Sequence, residues 1–281
     1  MTDTALNVKV VTMVRNDRFL PKWINYYGSE FGKENLYVFF DGEDQEIPEC
    51  CEGVNTQLIP KMQGNVVSTE YQRSRFLSKC AGDLFAGGAD MVIATDADEF
   101  LVVDPDLGLS LSEFLKRLPN HACHSGLGVD VLQHLPEEAA IDFDRPFLEQ
   151  RHRGWLYSRY TKPSIMTGPK TWGSGFHRVK GENFHIAKGL YLFHFGGADL
   201  EYLRNISSDA SRVSGGWTRH QLKRQRAIRK ISKVKAGDWE KLVKRNRLMQ
   251  TLCRPIFAIN KPTTFGLKYV ARIPERFQKL V

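Results

Sequence analysis

The sequence predicts an α/β fold with a mostly parallel central sheet, helices on both of its sides, and a basic helical extension at the C-terminus. Three observations carry this prediction. Short apolar runs alternate with segments of helical periodicity through the first part of the chain, the pattern of strands joined by crossover helices. The runs are continuous rather than alternating, as strands covered on both faces are. The charge is also divided. Residues 1–218 carry a net charge of −7 and residues 219–281 a net charge of +15, so the basicity belongs to the tail. The expected organisation is a body over 1–218 and a basic amphipathic extension over 219–281.

Val8 to Val14 is the first expected strand, with Arg15, Asn16 and Asp17 at its carboxyl end. A helix follows from about Leu20 to Glu30, where Pro21 suits the first turn. Leu36 to Phe40 is the second strand, ending in Asp41-Gly42, and Gln57 to Pro60 a short third. Ser68 to Leu84 has helical spacing and ends at Gly87-Gly88. Met91 then opens the most informative stretch, MVIATDADEFLVVD. Beyond it come a short helix over Leu111 to Leu118 capped by Ser110 or Ser112, and a strand around Gly126 to Val131. Leu135 to Lys170 reads as irregular, and long loops of that kind carry function. Trp172 to His177 is a glycine-rich turn, Gly189 to Gly196 a strand, and Leu200 to Ser207 a helix. From Arg219 onward the chain reads as basic and helical.

The acids of MVIATDADEFLVVD sit where a buried strand ends. In open α/β sheets that is the ligand-binding edge. With extended backbone, Asp96 and Asp98 share one face and Glu99 takes the other. Two like charges about 4 Å apart repel by roughly 4 kcal/mol at an effective dielectric of 20. A divalent cation, a shared proton or water must offset that, and oxygen ligands at this spacing suit magnesium or manganese. The chain holds two more D-x-D pairs, Asp104/Asp106 beside Pro105 and Asp142/Asp144 in a polar loop, and both read as turns.

Arg15-Asn16, Asp41 and Asp96-Ala97-Asp98 are thus expected on one rim of the sheet, an arrangement that suits a nucleotide laid across it. Asp41 is placed to meet a base or ribose, or simply to make a turn before Gly42. Gln72, Arg73 and Arg75 offer diphosphate contacts, or else a solvated helix face. Trp172 belongs to the core or stacks on an acceptor sugar.

The pattern VTMVRNDRFLPKWINYY, then VFFDG, Gln72 to Arg75 on a helix, ATDADEFL and a late LFHF spans roughly residues 8–210. It resembles the glycosyltransferase family 2 proteins of GT-A fold, in the branch with a D-x-D-E-F acidic strand. The resemblance implies a Rossmann-like α/β/α sandwich, a nucleotide-sugar donor (UDP-linked in most of the family), a divalent metal (Mn or Mg), and transfer with inversion at the sugar carbon. It also implies a histidine from the later half of the domain in the metal site. His194 matches that role with Asp96 and Asp98, and His177 is the alternative; the bland reading of His194 is a packed core residue. Inversion requires one general base, for which Asp130 and Glu149 are the candidates. The acceptor is expected to be a glycan or a lipid-linked molecule.

Other readings remain at this point. One is an inactive nucleotide- or membrane-binding adaptor. Another is a sugar nucleotidyltransferase, disfavoured because no glycine-rich loop with Arg and Lys follows the first strand. Residues 219–250 hold 12 basic and 2 acidic residues with apolar ones interleaved. Such a stretch packs on the body or lies on an anionic membrane, while the acidic body argues against nucleic acid. The N-terminus shows no secretory signal pattern, no run reaches the roughly 18 apolar residues of a membrane span, and the five cysteines show no C-x-x-C spacing. A cytoplasmic protein, peripheral at most on the inner membrane face, is expected.

Overall fold

The computed structural model describes residues 6–15, 18–207, 218–253 and 269–281. The expected α/β architecture is present. Its strands are β1 (Val8–Val14), β2 (Leu36–Asp41), β3 (Asn55–Ile59), β4 (Met91–Ala94), β5 (Glu99–Val103), β6 (Cys123–Leu132), β7 (Arg153–Leu156), β8 (Ile165–Met166), β9 (Ile186–Gly197) and β10 (Tyr269–Arg272). They form one sheet in the order β10-β7-β6-β8-β4-β1-β2-β3, with β9 paired to β6 and β5 to β9. The strands β3, β2, β1 and β4 are parallel neighbours, and β6 and β9 are a second parallel pair. Antiparallel partners join these two groups.

β1 shows why its run is apolar throughout. Val8, Val10 and Val14 face the core that holds Trp23, Ile24 and Tyr27 of α1 (Leu20–Phe31). Val11 and Met13 face the opposite core, with Leu77 and Ala81 of α2 (Val66–Ala86). Period-two alternation thus feeds two helical layers. Pro21 stands in the first turn of α1, as its fixed φ favours. Asn65 caps α2 by accepting from the backbone N–H groups of Val67 and Ser68. Ser110 closes a capping box with Glu113 on α3 (Leu111–Lys116).

The acidic stretch differs from the expected single extended strand. β4 stops at Ala94, and the Glu99 N–H donates to the Asp96 carbonyl at 3.0 Å. That bond closes a turn, after which β5 leaves to pair with β9. The three acids therefore radiate from a corner instead of alternating along a ribbon. The segment 135–170 is also more ordered than its composition suggests. It contains α4 (Phe147–Gln150), β7 and β8, the last two only four and two residues long.

The C-terminal part is built into the body. After α5 (Leu200–Ser207), α6 (Thr218–Ile231) buries Ile228 and Ile231 beside Leu203 and Leu132. α7 (Trp239–Cys253) sends Trp239 into the main core against Phe193 and Phe277. β10 adds an antiparallel edge strand to β7. Packing on the body therefore accounts for Ile228, Ile231 and Trp239 of the basic tail, while Leu222, Leu248 and Leu252 are exposed. Among the described residues no helix is long and apolar enough to cross a membrane.

Candidate active site

The corner after β4 gathers charge from separate parts of the chain. Asp96 receives Arg73 of α2 on one oxygen and Lys162 Nζ at 2.9 Å on the other. Lys162 also reaches Glu99 Oε1 at 2.6 Å, with the Glu99 side chain fully buried. Asp98 Oδ2 lies 3.3 Å from His194 Nε2. The other nitrogen, Nδ1, is 2.6 Å from Asp130 Oδ1. Register explains this: His194 of β9 is opposite Glu99 of β5 on one side and Asp130 of β6 on the other. Arg224 of α6 brings Nη2 to 3.2 Å from His194 Nε2, and Tyr160 stacks on the imidazole at 3.8 Å.

Elementary electrostatics sets the charges. Burial opposes ionisation of Asp96, but Arg73 and Lys162 outweigh it and hold the carboxyl well below its usual range. Burial likewise opposes ionisation of Asp98, and His194 and Arg224 overcome it. Glu99 goes the other way: burial dominates, and despite Lys162 its pKa rises to about 7. For His194 burial favours the neutral ring, yet the flanking Asp98 and Asp130 raise its pKa to about 9. The repulsion between acids expected from the sequence is thus offset by the protein's own cations.

Backbone features fix these positions. A Cβ placed on Gly196 would lie 2.5 Å from Asp98 Oδ2 and 2.7 Å from both His194 Nε2 and Arg224 Nη1. Only a glycine leaves that space open. Phe176 adopts φ 57°, a left-handed conformation unusual for a bulky residue. Its ring underlies Arg73 at 5.2 Å and Lys162 at 5.8 Å. Beside Asp130, Trp155 and Tyr157 stack at 3.9 Å, and Tyr157 meets Tyr160 edge-on at 5.9 Å. The aromatic ladder leads from β7 to His194.

Among the described residues one group has donor atoms close enough to share a cation: Asp98, Glu99 and His194, all within 4.8 Å of one another. Two carboxylates and an imidazole form a donor set that fits Mn or Mg, and the space beside Gly196 opens onto two of them. Asp96, expected as a ligand, lies outside that group, and Arg73 and Lys162 hold its oxygens. Ala97 is buried in the turn.

The remaining expected residues are placed as follows. Arg15 donates to the Asp41 carbonyl at 2.7 Å and pairs with Asp44, tying the ends of β1 and β2 together. Asp41 Oδ1 accepts the Met62 N–H at 2.7 Å. Asn16 lies outside the described residues. Asp130, expected as a base, is committed to His194 and orients it. Glu149 pairs with Arg145 at 3.6 Å on α4, not with the acidic cluster. Of the other D-x-D pairs, Asp142 makes a turn by accepting the Asp144 N–H, while Asp104 receives Arg276 at 2.8 Å. Trp172 is a core residue, 1% exposed. Sequence reasoning missed Glu99 as a donor, the stacking role of Tyr160, and Arg224.

No family model matches the chain, and no curated protein matches it. Solved structures give faint likenesses. A cytidylyltransferase from Leptospira borgpetersenii serovar Hardjo-bovis is 12% identical, covering 43% of this chain and 54% of its own, with a TM-score of 0.26. The chain thus spans about half of that protein's length. Mannose-1-phosphate geranyltransferase from Thermus thermophilus is 8% identical over 95% of this chain and 74% of its own, with a TM-score of 0.28. CMP:2-keto-3-deoxy-manno-octonic acid synthetase complexed with CTP is 12% identical over 77% and 85%, with a TM-score of 0.28. Likenesses at this level assign no activity, and the functional reading rests on the site.

Proposed function

We propose that the protein is a GT-A-type glycosyltransferase, moving a sugar with inversion from a nucleotide-sugar donor, UDP-linked first of all, to a glycan or lipid-linked acceptor. One observation carries the reading. The corner between β4 and β5 presents Asp98 and Glu99 to His194 at the carboxyl edge of the parallel strands β1, β2 and β4, where open α/β sheets bind ligands.

Asp98, Glu99 and His194 would hold a divalent ion, which when bound supplies Lewis-acid neutralisation of the departing diphosphate. Asp130 fixes the His194 ring through Nδ1, and Tyr160 covers one face of it. Lys162 and Arg73 hold Asp96 ionised and bring positive charge to the donor side. Arg224 contributes a further cation beside Asp98, where a phosphate would approach. Trp155 and Tyr157 offer apolar faces on which an acceptor sugar can lie. The expected contacts of Arg15 and Asp41 with the donor belong to the same rim. Exposed basic residues on α6 and α7 fit an anionic surface near such an acceptor.

A thermal-shift panel of nucleoside diphosphates with and without manganese tests the proposal. A nucleotide present at about 100 times its dissociation constant stabilises by about 2.7 kcal/mol. UDP with manganese is expected to give the largest shift, and a panel with no shift rejects the reading. A second reading is sugar nucleotidyl transfer. The convergence of Arg73 and Lys162 on Asp96 would suit a triphosphate. The lack of a glycine-rich basic loop after β1 speaks against it. Pyrophosphate release from CTP or UTP with a sugar 1-phosphate favours this second reading; nucleoside diphosphate release from a nucleotide sugar favours the first.

A further inference from the structure

A second polar cluster stands at the opposite ends of β6 and β9. His124 is the second residue of β6, and His185 immediately precedes β9; the Ser125 N–H donates to the His185 carbonyl at 2.8 Å and keeps the two in step. His121 stacks on His185 at 3.6 Å, and its ring is 5.5 Å from that of His124. Six residue steps along β6 lead from His124 to Asp130, or roughly 20 Å of strand. This is a place apart from the acidic corner.

The three histidines line a cavity of about 440 Å³. Arg117 from the end of α3, Lys188 from β9 and Arg247 from α7 line it too, and no carboxylate does among the described residues. The rest of the wall is largely apolar, with Phe114, Leu118, Phe184 and Ile186. His124 is 1% exposed, yet its Nε2 has no hydrogen-bond partner. A buried ring nitrogen without a partner is costly, and native proteins seldom leave one. The histidine atoms do not converge as a metal's ligands must, since the acidic corner is the one group that meets that spacing among the described residues. The excess of donors over acceptors calls for an anion. Arg forks and imidazoles match the tetrahedral oxygens of phosphate, and a dianion suits several cations better than a carboxylate does.

We propose that this cavity binds a phosphate monoester that carries an apolar group. The phosphate meets His124 Nε2 and the Arg117 and Arg247 guanidiniums. The apolar group lies along Phe114, Leu118, Phe184 and Ile186. Burial and the nearby His121 and His185 hold free His124 down at about 4. A bound dianion reverses the sign of that environment.

The test uses full-length protein and follows the ring C–H resonances of the histidines by NMR. Two probes are titrated, farnesyl monophosphate and inorganic phosphate. Farnesyl phosphate is expected to shift His121, His124 and His185 at a concentration at least ten-fold below that needed for inorganic phosphate. The double variant Arg117→Gln/Arg247→Gln changes two solvent-accessible side chains and should weaken farnesyl phosphate at least ten-fold. Equal strength of the two probes overturns the apolar half of the proposal and identifies free phosphate as the ligand. Silence of the three histidines toward both probes, or unchanged binding in the double variant, overturns the site. His185→Gln serves as a further check, because its expected loss of affinity does not depend on the arginines.

Discussion

The strand pair β6 and β9 carries a histidine near each end, and the two ends treat it in opposite ways. At the acidic end, His194 lies between Asp98 and Asp130 and its pKa rises to about 9. At the other end, His124 has histidines for neighbours and its pKa falls to about 4. Both rings are about 1% exposed, so burial is common to them and only the company differs. Burial always penalises the charged ring; two carboxylates reverse the outcome and two imidazoles reinforce it. Residue type and burial therefore say little about charge until the partners are known. The difference also assigns work. The acidic end is a closed network of matched charges, and the histidine end is an open cavity with donors to spare.

The largest effect is expected at the acidic end. Asp98→Asn keeps the size of the side chain and removes its charge, and a neutral amide is a poor ligand for a hard cation. Transfer should fall at least about 100-fold, the scale for losing one electrostatic group at a reacting centre. Calorimetry should show manganese-dependent nucleotide affinity lost as well. Unchanged manganese-dependent affinity would remove Asp98 from the metal group and erase the contrast between the two ends.

The next effect is on stability. Lys162 is 4% exposed and serves both Asp96 and Glu99. Lys162→Met leaves two acids facing each other with Arg73 alone to offset them. Removing one partner of a buried ionic group costs about 3 kcal/mol or more. Urea unfolding should show this loss, whereas Lys188→Met at the open histidine cavity should change stability by under about 0.5 kcal/mol. Similar losses in the two variants would mean that the acidic network is no more closed than the cavity.

How much of this was legible in the sequence follows from the same contrast. β1 and β2 were readable because both their faces are buried and their apolar runs are unbroken. The nearness of Asp98 to His194 was readable through the motif and the late LFHF segment, whereas Asp96, expected beside them, is held by Arg73 and Lys162. The corner between β4 and β5 was not, because the run is apolar on both sides of the acids and only the Glu99-to-Asp96 backbone bond reveals the turn. Lys162 and Arg224 look like any loop or helix cation in a basic chain; tertiary contact alone distinguishes them. The histidine cavity was invisible because His121, His124 and His185 come together through the parallel register of β6 and β9. β10 was hidden by its length of four residues within a tail whose charge suggested helix.

A third effect, smaller, concerns pH at the histidine end. His124 is held below its ordinary value, so the unfolded chain binds its proton more readily than the folded one. Its contribution to stability is complete above the ordinary histidine value of about 6.5 and is lost as pH falls toward about 4. The groups lining the cavity with it are His121, His185, Arg117, Lys188 and Arg247; His121 and His185 add to burial in the same direction, and a backbone hydrogen bond to Pro119 opposes them. The open cavity lets water screen part of this, so the loss between about pH 8 and pH 5 should be about 1–2 kcal/mol. His124→Phe should flatten the stability profile over that interval. A variant whose profile parallels that of the wild type would show that His124 is not held neutral in the way the comparison requires.

The smallest effect tests what the tail does beyond packing. α6 and α7 serve both ends of the strand pair, since Arg224 reaches His194 and Arg247 lines the histidine cavity. Truncation of the tail would therefore damage both sites and remove β10 from the sheet, and surface variants are the cleaner probe. Lys223, Lys230, Lys233 and Lys241 are exposed and touch neither site. Each basic residue near an anionic surface contributes about 1 kcal/mol at most, and the contribution fades as the Debye length drops from about 10 Å at 0.1 M salt to about 3 Å at 1 M. Full-length protein should co-sediment with phosphatidylserine-containing vesicles at low salt and be released at high salt. Replacing those four lysines by glutamate should abolish sedimentation while nucleotide binding stays intact. If the variant sediments like the wild type, or the wild type never sediments, the tail's charge acts only within the fold. Two of its cations meet acids there, Arg224 with Asp98 and Arg276 with Asp104.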